Sequence, residues 1–214
     1  MSFGMILLTA LTVLILCGVL QRVLDRMALT DRQALFCVGA ILIGGGLPDL
    51  QFGMVTLNLG GALIPLLVCA YLFFSAGTGK ERARCLIASG LTAALIYMIS
   101  VFFPADPTAM PFDPMLLYGV AGGAIAWILG RSRRSAFIAG ITGVIVCDVI
   151  AGLANWQNGI AQAIHLGSAG ALDAAVLSGI SAVLFCELFG EMLERITKAR
   201  IRREMSIYRG GNRA

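Results

Sequence analysis

The sequence predicts an all-α, polytopic transmembrane helix bundle of about seven spans, with the N-terminus outside and the C-terminus in the cytoplasm. Three observations lead there. The 214 residues are 58% apolar and only 13% charged, with a mean hydropathy of +0.88, and a water-soluble surface cannot be built from such a chain. The apolar residues come in long runs rather than amphipathic periods. Every basic residue falls in alternate connections between those runs. Disorder, collagen and coiled coil are excluded by the same composition, because the 26 glycines have no period and long Leu/Ile/Val/Ala runs fill the rest.

About 20 helical residues cross roughly 30 Å of hydrocarbon, and runs of that kind occupy about 3–20, 34–50, 53–75, 85–103, 115–130, 135–154 and 160–187. The first has no basic segment before it and no small-residue cleavage site, so it is expected to stay in the mature chain. Arg22, Arg26 and Arg32 follow the first run, Lys80, Arg82 and Arg84 the third, and Arg131, Arg133 and Arg134 the fifth. The tail takes the remainder of the sixteen basic residues, from Arg195 to Arg213. The positive-inside bias therefore places the tail in the cytoplasm, and an even number of spans would break the alternation. The expected location is the cell membrane, the inner membrane in a Gram-negative cell.

Two units are expected, a transmembrane helical domain over 1–190 and a basic cytoplasmic helical tail over 191–214. Within 187–208, Glu191 and Arg195, Glu194 and Lys198, and Arg200 and Glu204 are spaced for facing ion pairs on a helix. The net charge of +4 is a topology signal with an anionic-lipid contact in the tail, so membrane lipids are the expected partners and nucleic acid is not. The connection 104–114 holds four of the six prolines and reads as a stiff spacer. The six cysteines, Cys17, Cys37, Cys69, Cys85, Cys147 and Cys186, lie in or beside apolar runs without Cys-x-x-Cys spacing, so they read as small buried hydrophobes. With a lone histidine, no metal site is expected, and no cofactor either.

An ionisable group inside a span is costly and is by default a functional hypothesis. Asp148 lies well inside the sixth run and Asp173 near the start of the seventh, while Asp49 follows Pro48 at the outer end of the second. At about 1.5 Å per residue, Asp148 sits roughly 21 Å beyond Arg134, and Asp173 roughly 21 Å before Glu187. The two carboxylates are thus expected at matching depth on consecutive antiparallel helices joined by Asn155-Trp156-Gln157-Asn158. Asn58, Gln162, His165 and Ser168 concentrate toward the outer half, accompanied by Gly44, Gly45, Gly46, Gly60, Gly61, Gly167 and Gly170. Glycine in a span allows close helix approach or a local break. Asn58, Gly60, Gly61, Pro65, His165, Gly167, Gly170 and Asp49 are accordingly candidate lining residues of a polar pocket open to the outside. The plainer alternative is a satisfied network, with Asp173 bonded to Asn58 or His165. An internal echo links TLNLGGALIP with AIHLGSAGALD, both running inward from the outside, as in a parallel repeat.

The segments Asn58-Leu-Gly-Gly-Ala-Leu-Ile-Pro65, the surroundings of Asp148, and Gly-Ser-Ala-Gly-Ala-Leu-Asp173 with Ser178-Gly179 resemble, over roughly 40–190, a bacterial and archaeal family of small multi-pass membrane proteins known only as a domain of unknown function. That family has a glycine-richer stretch and an aromatic residue before the aspartate, where this chain has Ser168 and Leu172. A looser similarity is to presenilin and signal-peptide-peptidase-type intramembrane aspartyl proteases. Cys147-Asp148 resembles their Tyr-Asp, Gly170-Ala-Leu-Asp173 partly resembles their Gly-x-Gly-Asp, and Ala62-Leu63-Ile64-Pro65 contains the residues of their Pro-Ala-Leu motif in altered order and upstream. The similarity implies a hydrolase in which one carboxyl of the pair holds a proton while the other activates water.

Three functions remain open from the sequence. One is an intramembrane aspartyl protease with Asp148 and Asp173 catalytic, acting on a transmembrane peptide. Another is a small proton- or cation-coupled transporter or channel for a small solute. The third is a membrane scaffold or assembly factor whose aspartates are structural.

Overall fold

The computed structural model describes residues 29–75, 77–102, 114–130 and 132–190. The first apolar run, the proline-rich connection up to residue 113 and the basic tail fall outside the described residues.

The chain is mostly helical. Helix α1 (Asp31–Gly45) starts at a reciprocal cap, in which the Gln33 backbone N–H donates to Thr30 Oγ1 at 3.3 Å and the Thr30 N–H to Gln33 Oε1 at 2.9 Å. It stops at Gly44-Gly45-Gly46, ahead of Leu47-Pro48. Strands β1 (Leu50–Phe52) and β2 (Val55–Leu57) then form an antiparallel hairpin. Its two-residue turn begins at Gly53, whose φ of 62° lies in the left-handed region that favours glycine. A single π-helical turn (Leu59–Leu63) leads into α2 (Ile64–Phe74). Helices α3 (Gly79–Phe102), α4 (Pro114–Gly130) and α5 (Arg133–Gln157) follow. Strand β3 (Ile164–Leu166), a 3-10 turn (Gly170–Leu172) and α6 (Ala174–Gly190) close the described chain.

Helix α5 is the hub and packs on α2, α3 and α4. Small residues let these helices approach: a Cβ on Gly143 of α5 would press on Thr92 of α3, and one on Gly123 of α4 on Ser181 of α6. Leu72, Ile141, Thr92, Pro65 and Cys85 are fully buried among them. At one end of the bundle, Arg133 Nε donates to Glu187 at 2.6 Å, Arg134 lies 3.9 Å from Glu81 and bonds the Ser75 carbonyl, and Arg82 bonds that of Phe74. At the other end lie the sheet and the helix starts that follow it.

The structure departs from an all-α bundle of continuous spans in three places. The runs read as helices over 34–50 and 53–75 are separated by the hairpin, because three glycines weaken the end of α1, Pro48 lacks an N–H, and β-branched Val55 and Thr56 favour extended backbone. The run read as a helix over 160–187 becomes helical only at Ala174, since Gly167 and Gly170 adopt φ of 72° and 60°, which a continuing helix cannot contain. Residues 155–157, read as an outer turn, belong to α5. As a result α3 and α5 are long and apolar enough to cross a membrane, whereas Leu59–Phe74, Leu117–Gly130 and Ala174–Gly190 are shorter apolar helices.

Candidate functional site

The polar outliers of the sequence gather where the small sheet meets the starts of α2 and α6. The sheet sets this arrangement. Strand β2 pairs with β1 on one side and, in parallel, with β3 on the other, matching Val55 with Ile164, Thr56 with His165 and Leu57 with Leu166. Two chain segments 108 or more residues apart therefore enter their helices side by side and in the same direction.

Asn58 sits at the end of β2 and is buried. Its N–H donates to the Leu166 carbonyl at 3.0 Å, which continues the parallel ladder. Its side-chain Oδ1 accepts from the N–H groups of Gly60 and Gly61, both at 2.9 Å, and its Nδ2 donates to Asp49 Oδ1 at 2.7 Å. One asparagine thereby caps the π-helical turn, holds the segment after α1 and joins β3. The glycines beside it permit the crossing. A Cβ on Gly60 would overlap Gly45 N and the Ile41 carbonyl oxygen, and one on Gly61 would overlap the carbonyl of Gly167. A Cβ on Gly170 would come within 2.8 Å of Gly45 Cα. Three strands of backbone meet here with no room for side chains.

Asp173 is buried at the junction of the 3-10 turn and α6. Its Oδ1 accepts from Ala175 N–H at 2.9 Å and its Oδ2 from Ala169 N–H at 3.4 Å, while its own carbonyl accepts from Leu177 N–H. This is the geometry of an N-cap, with the carboxylate on the positive end of the helix. Asp148 is half-buried on α5, and the two carboxylates lie near enough for the charge of one to act on the other.

The remaining candidate residues divide. His165 is exposed on β3 and pairs through Nδ1 with Thr56 Oγ1 at 2.6 Å, so it fastens the parallel strands. Neither Asn58 nor His165 is the bonding partner of Asp173: Asn58 holds Asp49, and Asp173 holds backbone N–H groups of its own loop. Pro65 is buried in the first turn of α2, where its missing N–H costs nothing. Thr56 escaped sequence reasoning, and Gly45 was named there only as one of the glycines near the pocket, not as a crossing point. Thr56 was signalled only by its β-branched neighbour in an apolar run, and the contact of Gly45 with Gly60 and Gly170 had no signal in the spacing. Deeper in the bundle the hydroxyls of buried Thr92 and Ser178 have no hydrogen-bond partner. Among the described residues no group of three or more metal-ligating side chains occurs.

No curated protein and no solved structure matches the chain. One family does, the family described as "Protein of unknown function (DUF1614)", which matches residues 7–185 and so most of the sequence. The chain belongs to this family.

Proposed function

We propose that this is a multi-pass membrane protein that moves a proton or small cation, coupled to a small solute, with Asp148 and Asp173 as the ion-holding pair. Its surface supports the membrane setting. Phe36 is 76% exposed, Ile43 72% and Phe102 71%, whereas Asn58, Thr92, Ser135, Asp173, Ser178 and Ser181 are buried. Lipid tails match such an exterior, and water does not. The basic residues gathered at one end of the helices favour the seven-span arrangement with that end in the cytoplasm.

The single observation that carries the ion-holding role is a half-buried carboxylate, Asp148 on α5, within electrostatic reach of the buried carboxylate of Asp173 at the start of an interrupted helix. Two neighbouring carboxylates that cannot both stay charged hold one proton or one cation between them. Asp173 is fixed by two backbone N–H groups, and Asp148 on α5 is the partner that loads and unloads. Interrupted helices whose starts point at a common region are the usual construction of secondary transport sites. In proteoliposomes, the wild-type chain is expected to carry a proton or cation flux that Asp148→Asn abolishes; equal flux in the variant overturns the assignment.

The same pair supports one second reading, an intramembrane aspartyl protease, because that chemistry also needs adjacent carboxyls sharing a proton. It predicts that uncleaved membrane substrates accumulate in cells making Asp148→Asn or Asp173→Asn. A flux-competent wild type with an unchanged membrane proteome in both variants decides for transport.

A further inference from the structure

We propose that the groove between α3 and α4 at the basic end of the bundle is a binding site for one anionic phospholipid; this rests on the membrane setting argued above, though not on the ion-holding pair. The groove has a volume of about 360 Å³ and is lined by Lys80, Arg84, Ile87, Ala88 and Leu91 of α3 and by Leu129 of α4. The α3 residues follow the i, i+4, i+7, i+8, i+11 spacing of one helix face. Charge occupies one end of that stripe and hydrocarbon the rest, so the groove is itself amphipathic along its length.

Three features favour a lipid over other occupants. From Lys80 to Leu91 the stripe runs about 16 Å at 1.5 Å per residue, close to half of a hydrocarbon core of about 30 Å. An acyl chain of one leaflet therefore fits beside Ile87 and Leu91 with its phosphate level with Lys80 and Arg84. The neighbouring cations are already engaged, Arg82 with the Phe74 carbonyl and Arg134 with Ser75 and Glu81. Lys80 and Arg84 enter no ion pair among the described residues, and the acid nearest in sequence, Glu81, faces Arg134. Finally, both cations lie in the first turns of a 24-residue helix, whose N-terminal dipole adds to the attraction for a phosphate.

The test uses the full chain in detergent, titrated with an equimolar mixture of phosphatidylglycerol and phosphatidylcholine of identical acyl chains, with bound lipid read by native mass spectrometry. The first bound lipid is expected to favour phosphatidylglycerol by about tenfold or more, given two basic contacts. Lys80→Gln with Arg84→Gln is expected to remove that preference, and Leu91→Trp, which fills the apolar half, to reduce retention of both lipids. Neutralising Arg200, Arg202 and Arg203 is expected to weaken later, looser lipid binding but to leave the preference of the first bound lipid unchanged. The proposal is overturned if the double variant keeps the preference, if Leu91→Trp retains lipid normally, or if the tail variant alone loses the preference. Carbonate washing of membranes separates the two levels: a chain released as soluble protein refutes the membrane setting, whereas a retained chain without lipid preference refutes only this site.

Discussion

Replacing Gly60 by alanine tests whether the backbone crossing beside Asn58 holds the fold together. The added Cβ would overlap Gly45 N and the Ile41 carbonyl oxygen and lie 2.7 Å from Gly45 Cα, well inside the 3.5–4.0 Å at which carbon atoms normally rest. All three obstacles are backbone atoms. No rotamer change relieves them, so α1 or the π-helical turn must move. Overpacking of this kind costs about 1–3 kcal/mol, against which alanine's better helix propensity returns at most about 1 kcal/mol. A net loss of about 1–2 kcal/mol lowers the melting temperature of a chain this size by about 2–8 °C.

Gly39→Ala is the matched control, because it lies on α1 with nothing within 4 Å of the added Cβ. That substitution is expected to be neutral or slightly stabilising. Melting in detergent can be followed with a thiol-reactive fluorogenic maleimide, since Cys69 and Cys85 are free and buried and become reactive as the bundle opens. If Gly60→Ala melts within a degree of Gly39→Ala, the crossing is not tight and the account of the glycines fails.

Asn58→Ala removes the one oxygen that caps both Gly60 and Gly61, and with it the Asp49 partner, and is expected to cost about 1–2 kcal/mol; the same melting assay checks it, with Asp49→Ala expected to cost less because the cap to Gly60 and Gly61 survives. At the start of α6, Asp173→Asn keeps an oxygen for the Ala175 N–H and is expected to melt near wild type, whereas Asp173→Ala should lose about 1 kcal/mol. Flux measured on Asp173→Asn then isolates charge from capping. A variant that folds as wild type but has lost its proton or cation flux supports the pair, and unchanged flux leaves Asp173 as a cap alone.

How much of this was legible in the sequence depended on whether a residue's role was fixed by composition or by a partner. Helices α3 and α5 lie near the runs expected at 85–103 and 135–154 because an apolar stretch of that length, uninterrupted by proline, reads as helix rather than strand. The hairpin was not legible. Over Leu50 to Leu57 the chain is as apolar as its neighbours, and a short apolar run does not distinguish strand from helix; only Gly53 and the Val55-Thr56 pair hinted at it. Asn58, Asp148 and Asp173 stood out as polar residues among apolar ones. Their partners did not, because Asp49 and the N–H groups of Ala169 and Ala175 reach them only once glycines have turned the backbone. Gly167 and Gly170 announced a break before α6, but no rule of spacing told that the break would pair with Thr56 and Leu57.

That pairing changes the meaning of the internal echo. Matching the Leu-Gly pairs of the two segments sets Leu59 against Leu166, whereas the strands pair Leu57 with Leu166, so the likeness lies in construction rather than in register. Each segment is a short strand, a capping side chain and an apolar helix, and the parallel ladder forces the two helix starts to lie side by side. Both starts present N–H groups that need an oxygen. At α2 the oxygen is the neutral amide Oδ1 of Asn58, which accepts from Gly60 and Gly61 while Nδ2 donates to Asp49. At α6 it is the carboxylate of Asp173, within electrostatic reach of Asp148 on α5. The two helix starts thus differ in the capping group itself, an amide at one and a carboxylate at the other, and the carboxylate is the one within electrostatic reach of Asp148. The ion-holding role proposed for Asp148 and Asp173 therefore rests on the second start; the first, with its amide cap and closed glycine crossing, holds the strand that keeps it in place.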